Sequence, residues 1–133
     1  YVTDKCPISE NPESFFPGDD YIDWIGFTVR SRRGEYVGPM EKLFDKSYQW
    51  ARKSHPNKPI ILVELGAINN LNQAKWIKNS YFQIKNRYPA IKSVLISTSG
   101  ITETNENSSL NNKSLIQIKK SLSSDYFIDH IPI

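Results

Sequence analysis

Four branched apolar residues stand side by side at Ile60, Ile61, Leu62 and Val63, between the turn-prone Pro56-Asn57-Lys58-Pro59 and Leu65-Gly66. A short apolar run without alternation predicts a strand over residues 59–66 that is buried on both faces, as strands of parallel sheets are. Residues 21–29 (Y-I-D-W-I-G-F-T-V) are aromatic and β-branched and lie between Pro17-Gly18-Asp19-Asp20 and the polar segment 30–34, which predicts an earlier strand. Residues 91–97 (I-K-S-V-L-I-S) predict a later one. Two places are open to Asp23 in the first of these: a buried, hydrogen-bonded structural carboxylate, or a solvent-side residue near the strand's start. The structural role is preferred.

Between the strands the apolar spacing changes to that of helices. Met40, Leu43, Phe44, Ser47 or Tyr48, and Ala51 fall on one face of a helix over residues 39–54, with Pro39 suited to its first turn. Ala74, Ile77, Tyr81, Ile84 and Tyr88 do the same over residues 73–88, where Asn69, Asn70 and Asn72 offer N-caps and Pro89 ends the pattern. A last helix over residues 113–122, capped by Asn112, is expected to bury Leu115, Ile118 and Leu122. Residues 1–20, punctuated by Pro7, Pro12, Pro17 and Gly18, read as an incoming loop with the end of a strand at Tyr1 and Val2. Residues 98–112 form a polar loop, and the tail after residue 125 packs or frays according to what lies beneath it.

Strand and helix alternate three times, which in one sheet means right-handed parallel βαβ units and an α/β fold. A (β/α)8 barrel takes eight units and about 250 residues. The chain's 133 residues supply three complete units and the end of a further strand. The expectation is therefore a small open sheet or the C-terminal part of a barrel.

Composition narrows the function. At 38% hydrophobic and 12% aromatic, the chain has enough apolar side chain for a folded core, in one domain or part of one. The net charge is +3, but the 17 basic and 14 acidic residues are interspersed, which argues against nucleic acid as a partner. Cys6 has no second cysteine to pair with, and His55 and His130 are too few for a zinc cluster, so neither a metal nor a cofactor is expected. No apolar run reaches the roughly 18 residues of a membrane span, and residues 1–5 lack the basic-then-apolar order of a signal peptide.

The candidate chemistry gathers at one place. Glu64 follows four residues that favour a dry environment, toward the C-terminal edge of the central strand, where ligands of α/β folds bind. A carboxylate capping the next loop or paired with a structural arginine fits the same spacing. Arg30, Arg32 and Arg33 fall on the same edge; a solvated loop is their simplest account, and uronate, sulfate or phosphate groups on a glycan are the anions their planar forks would suit.

Three stretches together resemble the family 26 type glycoside hydrolases, the β-mannanase-like (β/α)8 enzymes. Residues 12–26 (P-E-S-F-F-P-G-D-D-Y-I-D-W-I-G) are similar to that family's YYPGDDYVDWIG strand. Residues 58–66 (K-P-I-I-L-V-E-L-G) resemble its KPIMIAEFG. Gln73-Ala74-Lys75-Trp76-Ile77 with Tyr88-Pro89-Ala90-Ile91-Lys92 resembles its KAxWI and FPxIKAVVWF segments, and Ser124-Asp125-Tyr126-Phe127 is like the SPYF that closes the last helix. The resemblance spans residues 10–128 and implies that the three strands are the sixth, seventh and eighth of a barrel. It also implies that Glu64 stands at the nucleophile position of a retaining mechanism, that the substrate is a β-linked oligo- or polysaccharide, and that the protein resides outside the cell or in a periplasm.

The same resemblance implies departures. The family's acid/base glutamate lies on a fourth strand, a segment that this chain does not contain. Glu103 and Glu106, on a polar loop, are poor substitutes. Where the family continues IDGYN after Ile25-Gly26, supplying a tyrosine that steadies the nucleophile, this chain reads Phe27-Thr28-Val29-Arg30-Ser31; where its eighth strand ends in tryptophan, this chain reads Val94-Leu95-Ile96-Ser97-Thr98. Three readings stay open: the nucleophile-bearing part of a hydrolase completed by an N-terminal half, a non-catalytic glycan-binding or assembly module of polysaccharide synthesis or export, and an interaction domain in which Trp24, Trp50 and Trp76 are all core. A sheet with apolar residues on both faces but helices on one would need a complementary chain or a second copy to cover the other.

Overall fold

Three parallel ladders join the strands, and the strand end expected at the start of the chain is a short first strand. The computed structural model describes residues 2–3, 12–31, 38–70, 72–96 and 109–128. Within them β1 (Val2–Thr3), β2 (Ile25–Ser31), β3 (Ile60–Ala67) and β4 (Ile91–Ile96) pair in the order β1-β2-β3-β4, all parallel. The helices α1 (Met40–Ser54), α2 (Gln73–Arg87) and α3 (Asn112–Leu122) alternate with β2, β3 and β4. Strands taken in sequence order with same-handed crossovers place their helices on one face of the sheet. That face holds the core.

Phe27 of β2, fully buried, meets Phe44 of α1 edge-on at 5.3 Å and Trp50 at 6.4 Å. Tyr88, at the end of α2, packs edge-on against Phe44 at 5.2 Å and Tyr48 at 4.9 Å. Met40, Leu43, Phe44, Ser47 and Ala51 are the buried residues of α1, which is the face that the i, i+3, i+4 spacing marks. On α2 the buried set is Gln73, Ile77, Ser80, Tyr81 and Ile84. Trp50 and Trp76 are half-buried and pack against this core from the helix side. Among the described residues no helix is long and apolar enough to cross a membrane.

The sequence reading needs four corrections. The first strand starts at Ile25, not at residue 21: Asp19–Tyr21 is a single 3-10 turn, and Tyr21 is 81% exposed. Its aromatic and branched residues look strand-like, but Lys58 Nζ donates to the carbonyls of Asp19 (2.6 Å) and Ile22 (2.7 Å) and holds the segment as a turn. Asp23 is consequently exposed, outside the strand, and is no structural carboxylate of the core. Trp24 is 42% exposed. At α3 the cap is Asn111, whose side chain accepts from the Ser114 amide, and the helix rotates so that Ser114 and Ile118 are buried while Leu115 is 39% exposed.

A polar cluster pins α1 to the end of α2. Asp45 accepts from Arg87 Nε (3.0 Å), from a second Arg87 nitrogen (2.6 Å) and from the Tyr88 hydroxyl (2.5 Å). Burial pushes the Asp45 carboxyl up, but the hydrogen bonds from Arg87 and Tyr88 and the arginine's charge outweigh it and hold the group below its ordinary 3.8. Burial pushes the Tyr88 phenol up, and its bond to Asp45 adds to the shift. Above pH ~10 the unfolded chain therefore releases a proton that folded Tyr88 retains, so stability falls as pH rises. Below the ordinary carboxylate range the Asp45 contribution is lost as pH falls. Thermal melting from pH 8 to 12 is expected to show the alkaline decline, and Tyr88→Phe to flatten it.

Candidate functional site

Glu64 owes its direction to an irregularity in β3. Ile25 pairs with Ile60 and Phe27 with Leu62, but the next pairs are Thr28 with Glu64 and Arg30 with Gly66. One residue, Val63, is unmatched, and side-chain alternation restarts after it. Ile60 and Leu62 before the bulge, and Leu65 and Ala67 after it, all belong to the buried helix side. Glu64 is thereby turned to the opposite face with Ile61 and Gly66. A strand with unbroken alternation would have placed it beside Leu62, in the core.

Arg30 reaches the same face by ordinary alternation. Ile25, Phe27 and Val29 are fully buried on the helix side, so Gly26, Thr28 and Arg30 point the other way. The guanidinium of Arg30 donates to the Glu64 carboxylate from the adjacent strand, and the two form an ion pair whose side chains are 13% and 26% exposed. Gly66 is the register partner of Arg30 across the ladder. Both residues lie in the C-terminal half of their strands, and β3 runs three residues beyond Glu64, to Ala67. Arg32 and Arg33 lie outside the described residues, as do Glu103 and Glu106.

The arrangement brings together Glu64 and one of the three arginines that the sequence singles out. A largely buried carboxylate-guanidinium pair fixes the direction and the charge state of both groups. Chemically it offers a carboxylate already engaged by a cation, beside the polar Thr28, on a sheet face that no described helix covers.

On the helix side, at the C-terminal edge, sits a hub that spacing does not reveal. Gln73, 1% exposed, donates from Nε2 to the carbonyls of Ala67 (3.0 Å) and Ser109 (3.1 Å), and its Oε1 accepts from the Asn111 amide (3.1 Å) and the Ser114 hydroxyl (2.7 Å). One side chain thus ties the end of β3 to the starts of α2 and α3 with its amide fully satisfied. At the other edge His55, buried in the α1–β3 connection, stacks on Phe16 at 3.8 Å and bonds Asp19 Oδ1 at 2.9 Å, which fastens residues 12–22 beneath the sheet.

The fold defines an α/β chain of parallel βα units with a carboxylate directed onto its helix-free sheet face. No protein-family model and no curated protein matches it.

Proposed function

We propose that this chain is the C-terminal part of a glycoside hydrolase-like (β/α)8 barrel that binds a β-linked polysaccharide, with Glu64 at the nucleophile position and without hydrolysis by this chain alone. The observation that carries the reading is Glu64 itself, aimed by the β3 bulge onto the helix-free face and paired there with Arg30. That face is the barrel interior of the family the motifs resemble.

Two arguments favour binding over cleavage. Retaining hydrolysis uses two carboxyl groups about 5–5.5 Å apart, one to attack the anomeric carbon and one to protonate the leaving oxygen, and the resemblance accounts for only the first. Counted on from Ile25-Gly26, the tyrosine of the IDGYN pattern falls on Arg30. A phenol lends a nucleophile one hydrogen bond. A guanidinium neutralises it, and so lowers its tendency to attack. The missing strands, supplied by a complementary chain or by a second copy, would close the sheet and cover the apolar positions Ile61 and Leu95. A location outside the cell or in a periplasm fits a polysaccharide ligand.

The test is affinity electrophoresis through gels containing β-mannan, β-glucan or xylan, run beside a reducing-sugar assay. The chain is expected to be retarded by at least one of these glycans and to release no sugar. Arg30→Met should weaken retention by about tenfold, equivalent to ~1.4 kcal/mol. It leaves a largely buried carboxylate unpaired, so Arg30→Met/Glu64→Leu serves as the folding control and is expected to melt closer to the parent than either single variant. Sugar release abolished by Glu64→Gln would make the chain a hydrolase, and retention by none of the three glycans would overturn the carbohydrate reading.

A further inference from the structure

At the end of the sheet away from Glu64, a cleft of about 380 Å³ opens where β3 and β4 begin. It is walled by Tyr48 of α1 and by Pro59 and Pro89, and three cations line it: Arg52, Lys58 and Lys92. Among the described residues that line it, none is acidic. The volume lies within the ~300–1,000 Å³ typical of small-molecule sites.

Two of the three cations are held by neutral groups, so their charge is left unspent. Lys58 Nζ is fixed by two backbone carbonyls, and Arg52 donates to the carbonyl of Pro56. None of these three bonds is to a carboxylate. Of the carboxylates on neighbouring elements, Asp19 is engaged by His55 and Asp45 by Arg87 and Tyr88, while Asp20 and Asp23 do not line the cleft. Lys92 arrives through a second irregularity of the sheet: Ile60 pairs with Ile91 and Ile61 with Ser93, so Lys92 is unmatched between them, and it is exposed. Carbonyl anchors mean that little ordering of Arg52 and Lys58 remains when a ligand enters, whereas Lys92 is ordered by the ligand.

We infer that this cleft is a binding site for an oxyanion, a phosphate, sulfate or carboxylate group, free or borne on a sugar-sized molecule. Arg52 supplies a planar fork and the two lysines supply point charges. The site does not rest on the glycan reading, since Glu64 and Arg30 lie at the opposite end of the strands.

The experiment is an amide NMR titration of the purified chain at low ionic strength with sodium phosphate, sodium sulfate, glucuronate and a hexose 6-phosphate, with sodium chloride at matched ionic strength as control. Saturable shifts are expected at residues 52, 57, 58 and 90–92 and nowhere near Glu64. Arg52→Gln/Lys92→Gln should weaken binding by about tenfold or more. Lys92→Gln alone, at an exposed position, keeps the test open if the double variant folds poorly. Tighter binding of hexose phosphate than of phosphate assigns a sugar-borne group, and equal binding assigns the free anion. Shifts that chloride reproduces, that spread over lysines elsewhere, or that persist in the variants would overturn the inference.

Discussion

Gln73→Leu is expected to lower stability by about 3–5 kcal/mol, among the largest losses from a single substitution in this chain. Leucine is one atom shorter but branched and no smaller in volume, so most of the cost is polar. Leucine leaves the carbonyls of Ala67 and Ser109 and the Asn111 amide without the partner that Gln73 gives them, at about 1–3 kcal/mol for each buried group that finds no other. Ser114 is partly protected, because its hydroxyl also contacts Asn111 Oδ1 at 3.0 Å. Gln73→Glu discriminates between volume and hydrogen bonding: as a carboxylate it faces two carbonyl oxygens, so this variant should recover stability at acid pH, where a protonated acid can donate again. Denaturant titration of the parent and both variants at pH 5 and pH 8 measures this. A Gln73→Leu loss under 1 kcal/mol would mean that the hub is relieved by water.

Phe27→Ala is the second large effect, expected at about 3–5 kcal/mol. Phe27 is fully buried between Phe44 and Trp50, and its strand neighbours are bound by ladders on both sides, so the space left by the ring cannot close by a shift of β2. Phe27→Leu retains most of the volume and should cost less than half as much. Equal losses in the two variants would show that the edge-on aromatic contacts outweigh volume.

Helices and strands were legible because their signals are local. The apolar spacing of α1 marked its buried face residue by residue, and four branched residues in a row marked β3. What was not legible depends on partners far along the chain. Residues 21–24 have strand-like side chains, yet Lys58 and His55 fasten residues 19–22 as a turn. Gln73 is unremarkable in its own helix because its partners lie up to 41 positions away. Of the candidate site, the sequence marked Glu64 and Arg30 separately. Their pairing across 34 positions follows from a register with one unmatched residue, which no periodicity predicts, since the unmatched residue is itself an apolar valine.

That valine can also be viewed as contour length. Between the pairs Ile25↔Ile60 and Ser31↔Ala67, β2 spends seven residues and β3 eight over one distance, so β3 holds a surplus of one residue, about 3.3 Å of chain. The surplus is taken up immediately before the carboxylate. A deletion of Val63 would remove the slack and still leave Ile60, Leu62, Leu65 and Ala67 toward the helices and Glu64 away from them. A residue lost between Glu64 and Ala67 would instead reverse the end of the strand. The tolerance of this strand to a change in length is thus concentrated at one joint, and the carboxylate is the first residue beyond it.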